Sequence, residues 1–487
     1  MSRPPPAAVI VLAAGEGMRM RSRRPKVLHL IGGRSLLEHA LSAARGTAPQ
    51  HLVVVVRHGR GLVVEHVTAL DSEVLVAEQN EVPGTGRAVE CALDRLPADL
   101  AGHVLVTYGD VPLLTSETLS ELLEGHTAAG AAVSLITATL ADPTGYGRVL
   151  RDADGAVTAI IEHQDATEEQ RTVTEVNSGL YAFDLAALRG LLTEVGRHNA
   201  QGEKYLTDVV AIANGRGLTV RAHPIADLWQ TEGVNDRVQL ARLGAELNRR
   251  TLERLMRDGA TVVDPATTWV DADVTIGADT VVHPNTQIHG ATTIGVDCVI
   301  GPDTTLTDVE VGDGASVVRS QALLAVIGPG ASVGPFSYLR PGTELGADGK
   351  IGGFVETKNA RIAAGAKVPH LTYAGDVTIG ECANIGAGTI FANYDGVTKH
   401  HSSVGANTFV GSNSVIVAPV DIAGDAYVAA GSAVTEDVHQ GDLAVARGRQ
   451  RNVVGWVARR RALPAEALDP HTEDPHTEDP TTEGSPT

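Results

Sequence analysis

IGADTVVHPNTQIHGATTIGVDCVIGPDTTL, residues 276–306, decides the fold of the C-terminal half. Ile276, Val282, Ile288, Ile294, Ile300 and Leu306 recur at six-residue steps, which is neither the period of an α-helix nor the plain alternation of a half-exposed strand. Hexapeptides in phase are the pattern of a parallel β-helix, in which each apolar residue points into a narrow core. Ile327, Val333, Leu339, Leu345 and Ile351 resume the phase, and Val404, Val410, Ile416, Ile422, Val428 and Val434 resume it again. Glycine or alanine follows several of them, as a tight corner with no room for a larger side chain requires. Residues 352–376 and 391–403 break the phase. They are predicted to leave the regular coil and to carry the chemistry of this half.

Upstream of the repeat, short apolar runs (AVIVLAA, HLVVVV, VLVAE, HVLVTYGD, AAVSLITAT) alternate with helical patterns such as LLEHALSAA and AVECALDRL. That alternation predicts an α/β domain whose mostly parallel sheet is covered on both faces, with ligands beyond the carboxyl ends of the strands. Between the two halves, VNDRVQLARLGAELNRRTLERLMRD, residues 234–258, has apolar positions at helical spacing and predicts a linking helix. The expected division is an α/β domain over 1–233, a linker over 234–263, a β-helix over 264–464 and an acidic tail over 465–487. The tail repeats HTEDP and cannot bury enough apolar surface to offset its ordering entropy, so it is expected to be disordered.

The 487 residues carry 59 acidic against 39 basic side chains, a net charge of −20, which argues against general nucleic-acid binding. Basic groups that meet anionic substrates must therefore be placed locally. Cys91, Cys298 and Cys382 are far apart and odd in number, which suggests neither a disulfide framework nor a zinc site and favours a reducing cytoplasm. The short run after Arg3 reads as a buried first strand rather than a secretory signal, and no stretch is apolar for long enough to predict membrane insertion.

That first strand opens into LAAGEGMR. Leu12 to Gly17 can bring backbone N–H groups to phosphate, with Arg19 and Lys26 supplying positive charge. EVPGTGRAV offers a second glycine turn at Gly84 and Thr85. VTYGDVPLL sets Asp110 just past a strand, where a carboxylate beside phosphates would hold Mg²⁺.

On these motifs the chain resembles the sugar-nucleotide pyrophosphorylases. Over nearly its whole length it resembles the bacterial bifunctional N-acetylglucosamine-1-phosphate uridylyltransferases/glucosamine-1-phosphate acetyltransferases. The resemblance implies a Rossmann-like nucleotidyltransferase domain over 1–233 and a left-handed parallel β-helix acetyltransferase domain. It implies UTP and UDP-N-acetylglucosamine contacts at Leu12, Ala13, Ala14, Gly15, Arg19, Lys26, Gln79, Gly84, Thr85, Tyr108, Gly109, Asp110, Gly147, Glu162, Asn177 and Asn235, with Mg²⁺ held by Asp110 and Asn235. The sequence departs from the family pattern at Met18, Pro83 and Arg87, where threonine, leucine and histidine are usual. At Met18 a backbone contact survives the change of side chain.

Acetylating an amino sugar requires its ammonium group to lose a proton, so a base titrating near neutrality belongs beside it. His370, in HLTYAGD within the first break, is the candidate; Arg340 and Lys358 lie upstream to bind the sugar phosphate. The resemblance adds Tyr373 and Asn384 at the sugar phosphate and amine. It sets Ala387, Asn393, Tyr394, Ser412, Ala430 and Arg447 at acetyl-coenzyme A, and it implies a homotrimer with acetyl sites completed between subunits. Glucosamine-1-phosphate, N-acetylglucosamine-1-phosphate, UTP and acetyl-coenzyme A are then the partners.

Three other readings compete. A single-activity sugar-nucleotide pyrophosphorylase would use its β-helix only for assembly or regulation. A carbon dioxide-hydrating β-helix would draw metal ligands from His370, His400 and His401, although adjacent His400 and His401 point to opposite faces of an extended stretch. A structural trimerisation scaffold would leave the phosphate loop and Asp110 unexplained.

Overall fold

The computed structural model describes residues 5–462, so the acidic tail lies outside the described residues. Strand Ala8–Leu12 is buried along its whole length and pairs in parallel with His51–Val56 on one side and His103–Tyr108 on the other. Leu75–Glu78 extends the sheet beyond His51–Val56, again in parallel. Glu175–Asp184 runs antiparallel between His103–Tyr108 and Val133–Thr139, and Val220–Pro224 closes the far edge. A hairpin, Arg148–Arg151 with Val157–Ile161, hangs on Glu175–Asp184 through the pair Val176↔Arg148.

The near-continuous apolar run of the first strand follows from burial on both faces. Ala8, Ile10 and Leu12 pack in one core with Val89, Ala92 and Leu188; Val9, Val11 and Ala13 pack in another with Leu37, Leu41 and Leu119. Each large aliphatic side chain so buried contributes roughly 1.5–3 kcal/mol. The pairing of Leu12 with Val55 and Tyr108 brings the ends of three parallel strands together, which positions the site.

Helix Arg237–Arg257 begins at Asp236, whose carboxylate accepts from the Gln239 amide at 2.8 Å. Its buried Asn248 donates to Thr268 O at 2.8 Å and accepts from the Val270 amide at 2.9 Å, tying the helix to the first coil of the C-terminal half. Arg34 adds a bidentate ion pair to Asp273, with Nε at 2.9 Å from Oδ2.

The C-terminal half is a left-handed parallel β-helix. One face is an eleven-stranded ladder; the other two are joined in a seventeen-stranded sheet. Every apolar residue of the three hexapeptide runs is buried in one continuous core, and Val282, Ile288 and Ile294 each pair with the residue one coil on, Ile300, Leu306 and Val311. The small residues after them are needed because the coils touch: a Cβ on Gly277 would lie 2.6 Å from the backbone of Gly295. Apart from glycines, the left-handed corner positions belong mainly to Asp and Asn, among them Asp279, Asn285, Asp297, Asn407 and Asp425, which tolerate positive φ best after glycine.

One expectation needs correction. Residues 352–376 do not leave the coil; they hold strand Glu356–Ile362 and the start of Tyr373–Ile379, two of the longest strands of the β-helix, paired in one parallel register from Glu356↔Tyr373 to Ile362↔Ile379. The phase is lost there because a shortened corner shifts the repeat without breaking the pairing. Only 391–403 departs, where a loop closed by the bridge Tyr394↔Lys399 leaves Ile390–Ala392 before Ser402–Val404 resumes the ladder. Among the described residues no helix is long and apolar enough to cross a membrane. All three cysteines are free, with Cys382 exposed.

Candidate active sites

The loop after the first strand is pinned at its start by Ala13 N to Val55 O and Gly109 N to Leu12 O, both 2.9 Å. Further on it lies on Lys26: Gly17 has φ +69°, and a Cβ there would come within 2.7 Å of Lys26 Cβ. Lys26 follows Pro25 in a short 3₁₀ turn, and its ammonium meets the carboxylate of Asp110 and lies 3.3 Å from Asn235 Oδ1. Asp110 comes from the end of His103–Tyr108. Asn235 is held by Gln239 Oε1 at 2.7 Å from its amide, in the first turn of the linking helix. Val234 N donates to Asp110 O at 2.9 Å, so the strand end and the helix start are locked as one unit.

A cavity of about 510 Å³ opens above these groups. Of the sequence-predicted residues it is lined by Leu12, Ala13, Ala14, Gly15, Lys26, Gln79, Gly84, Thr85, Tyr108, Asp110 and Asn235. Gln79 donates to Gly84 O at 3.0 Å and Thr85 Oγ1 accepts from the Leu206 amide at 3.0 Å, which fixes the second glycine turn. Gly109 acts through its backbone and does not face the cavity.

Gly147, Glu162 and Asn177 form a neighbouring group. The Asn177 amide donates to Gly147 O at 2.9 Å, and a Cβ on Gly147 would stand 3.5 Å from Glu162 Oε2. Tyr108 joins this group to the cavity; its ring fills the space left by Gly179, where a Cβ would meet Tyr108 Cε2 at 2.3 Å. Burial pushes the Glu162 carboxyl up, opposed by the hydrogen bond from Thr207 Oγ1 at 3.1 Å. Burial, and then the carboxylates of Glu162 and Asp110, push the Tyr108 phenol up, so it remains a neutral hydroxyl.

Arg19 is exposed and does not line the cavity. Residues not singled out in the sequence do line it: Arg57, His58, Glu16 and Glu203. Arg57 and His58 directly follow strand His51–Val56, so the strand-end rule applied to that strand would have found them. Of the three departures only Pro83 lines the cavity; Met18 is 76% exposed, and Arg87 turns to Glu90 and Asn80 at 2.9 and 3.2 Å.

In the β-helix, His370 ends strand Lys367–His370. Its carbonyl accepts from Gly388 N at 3.1 Å and Thr372 Oγ1 at 2.8 Å, and its ring is exposed beside a cavity of about 480 Å³ that also reaches Lys350, Phe354, Leu371 and Ala387. On the adjoining face Arg340 pairs with Glu356 at 2.9 Å, Lys358 stands 3.8 Å from Asp376, and Asn393 joins the Asp376 carboxylate to the Tyr373 hydroxyl. Burial raises the Asp376 carboxyl, but hydrogen bonds from Asn359 and Asn393 and the charge of Lys358 hold it below its ordinary range. Lys399, from the loop of the true break, was not foreseen. Contact with Lys358 and its charge lower the Lys399 ammonium below its usual range, which marks two cations crowded together beside Arg340.

Asn384 lies on a different face from this cluster, paired with Lys367. Ala387, Ser412 and Ala430 form a column of small side chains at one corner, with Asn413 N to Ala387 O and Gly431 N to Ser412 O both 2.8 Å. The column starts beside His370 and runs toward exposed Arg447; Tyr394 projects from the loop, 58% exposed. His400 faces Asp395 at 2.7 Å whereas His401 faces Thr378 at 3.0 Å, so these two do not converge with His370.

Residues 9–173 match the family model of the MobA-like NTP transferase domain. A protein of Kineococcus radiotolerans is 58% identical over 461 residues, spanning 94% of each chain. One of Corynebacterium efficiens is 56% identical over 95% of this chain and 96% of its own. One of Pseudarthrobacter chlorophenolicus is 58% identical over 94% of this chain and 93% of its own. Each bears the name bifunctional protein GlmU.

Proposed function

The chain belongs to the bifunctional GlmU family, and from that premise we propose how its two sites divide the work. It acetylates glucosamine-1-phosphate with acetyl-coenzyme A. It then transfers UMP from UTP to the resulting N-acetylglucosamine-1-phosphate, giving pyrophosphate and UDP-N-acetylglucosamine for cell-wall synthesis. The observation that carries this reading is that one chain holds both a cavity over a glycine loop with Lys26, Asp110 and Asn235 at its floor and, in the β-helix, an exposed histidine one corner away from the clustered cations Arg340, Lys358 and Lys399. The assignment of the first step to 264–464 and the second to 1–233, joined by 234–263, is part of the proposal.

At the first site Asp110 and Asn235 would hold Mg²⁺. The fit rests on their geometry: two hard oxygen donors from distant stretches converge on one cationic point, the Lys26 ammonium, and Mg²⁺ is commonly held by one or two such ligands plus substrate phosphates. Held there, it would supply positive charge against the phosphate oxygens. The chain's own residues position the reactants. The amides of Leu12–Gly17 face the triphosphate, Gln79 and Gly84 the uracil, and Tyr108, Gly147, Glu162 and Asn177 the sugar. A phosphate oxygen is nucleophilic at neutral pH, so no general base is required and positioning with charge neutralisation supplies the rate.

At the second site Arg340, Lys358, Tyr373 and Asn384 take the sugar phosphate and amine. The column Ala387, Ser412 and Ala430, with Asn393, Tyr394 and Arg447, takes acetyl-coenzyme A. The amine nitrogen bonds to the acetyl carbon as the carbon–sulfur bond breaks, and the ammonium proton passes to His370. A homotrimer is supported by the exposure of His370 and of its apolar neighbours. Phe336, Phe354 and Leu371, 53%, 63% and 61% exposed, occupy successive left-handed corners, a costly conformation for bulky residues that an interface would justify. The free cysteines favour a cytoplasmic setting.

The test is a coupled assay with glucosamine-1-phosphate, acetyl-coenzyme A, UTP and Mg²⁺ that follows free thiol and pyrophosphate separately. Release of both, with pyrophosphate dependent on the acetyl donor, is expected. Pyrophosphate only from added N-acetylglucosamine-1-phosphate, with no thiol, would make the β-helix a scaffold. Light scattering at the mass of three chains is the expectation for assembly.

A further inference from the structure

We propose that Arg57 grips the terminal phosphates of the nucleotide and stabilises the departing pyrophosphate, an inference that rests on the uridylyl-transfer reading of the N-terminal site. Strand Ala8–Leu12 has two parallel neighbours, and Leu12 pairs with Tyr108 on one side and Val55 on the other. Tyr108 leads to Asp110 and the Gly147, Glu162, Asn177 group. Val55 leads to Arg57. Arg57 is half-buried and lines the cavity, and Gly59, two residues on, is packed so closely on Pro25 that a Cβ would stand 2.7 Å from its ring; Lys26 is next in sequence. Arg57 therefore flanks the phosphate loop on the side opposite the sugar group.

In-line transfer requires the entering and leaving oxygens on opposite sides of the α-phosphorus. The sugar-phosphate oxygen bonds to that phosphorus as its bond to the β-phosphate oxygen breaks, and the electron pair leaves with pyrophosphate. With the sugar on the Tyr108 side, pyrophosphate departs on the Arg57 side. Charge points the same way. The cavity is lined by the carboxylates of Glu16, Asp110 and Glu203 against two permanent cations, Lys26 and Arg57. Lys26 is engaged with Asp110; Arg60, at the start of the next helix, is engaged with Glu78; Arg57 has no ion pair among the described residues. Its planar fork suits bidentate contact with phosphate oxygens.

The experiment measures steady-state uridylyl transfer by wild type, Arg57→Ala and Arg57→Lys, with inorganic pyrophosphate and Mg²⁺ as a binding probe. Arg57→Ala is expected to raise the KM for UTP and weaken pyrophosphate binding by about 10-fold or more, with the KM for N-acetylglucosamine-1-phosphate within about twofold; Arg57→Lys recovers part of the loss. An unchanged KM for UTP in Arg57→Ala overturns the proposal. A second measurement needs no variant: phenylglyoxal should modify Arg57 in the wild-type protein, and Mg²⁺ with pyrophosphate should protect it. Equal labelling with and without pyrophosphate also overturns it. Absence of any uridylyl transfer by wild type would instead defeat the functional reading on which it rests.

Discussion

The Lys26 ammonium rests against the Asp110 carboxylate, with the two side chains only 11% and 15% exposed. The pair keeps either charge from standing alone in a half-closed cavity, where an unpaired ion is costly. It also sets both groups where a triphosphate and its cation would separate them. Lys26→Ala should therefore lower kcat for uridylyl transfer by about 100-fold or more, and Asp110→Ala should remove its dependence on Mg²⁺ together with most of the rate. Thiol release in the acetyl assay should persist in both variants. Loss of both activities together would refute separate sites.

Gly179 is a second point of leverage at the same cavity. At φ +83° it leaves room for the Tyr108 ring, and a methyl group would overlap that ring at 2.3 Å. Gly179→Ala should displace Tyr108 from between the nucleotide and sugar ends, raising the KM for N-acetylglucosamine-1-phosphate more than that for UTP. A variant with both constants unchanged would mean that Tyr108 does not order the sugar.

Among the described residues the His370 ring has no hydrogen bond or ion pair; its carbonyl, not its ring, holds the corner. His370→Ala should therefore fold and should reduce acetyl transfer by about 100- to 10,000-fold, the range of a lost general base. Pyrophosphate release from added N-acetylglucosamine-1-phosphate should be retained. Full acetylation by the variant would remove His370 from the reaction.

Crowding of Lys399 on Lys358 beside Arg340 is unfavourable in an empty site and is relieved by an anion. Lys399→Ala should raise the KM for glucosamine-1-phosphate by about 10-fold and weaken inhibition by inorganic phosphate in parallel. A change in kcat with an unaltered KM would contradict phosphate binding.

Where the sequence was legible, one physical constraint dominated: Ile288 or Val410 has no alternative to the core, because a six-residue step puts it inside every coil. The loop and Asp110 were legible because each directly follows an apolar strand, and parallel strands end at one sheet edge, with Lys26 close behind the loop. Lys399 and Arg57 were missed for a different reason. Each is an unremarkable cation in sequence, and it acquires meaning only from Lys358 or the cavity, which tertiary structure brings beside it. The shortened corner at Asn359, where buried Thr357 is followed by Ile362 after five residues, misled because a phase shift and a true loop look alike until the register Glu356↔Tyr373 is known.

A buried histidine far from either reaction predicts how acid acts on the N-terminal half. His126 is fully buried, its Nδ1 lies 2.9 Å from Ser134 Oγ, its Nε2 has no hydrogen-bond partner among the described residues, and the His103 ring stands edge-on at 4.9 Å. Burial lowers its pKa to about 4; His103 and His223 push the same way and Asp184 opposes them, while Arg221 acts on His223. The folded value thus lies below the 6.5 of a free imidazole, and the unfolded chain binds the extra proton between the two. Stability should hold above about pH 6.5 and fall as pH drops toward 4, by on the order of 2 kcal/mol for this group. Urea unfolding of the N-terminal transition at pH 7 and pH 5 checks it: His126→Asn, which cannot take the proton, should be less stable at pH 7 yet lose less between the two. An identical pH slope in the variant would mean that other groups carry the acid sensitivity.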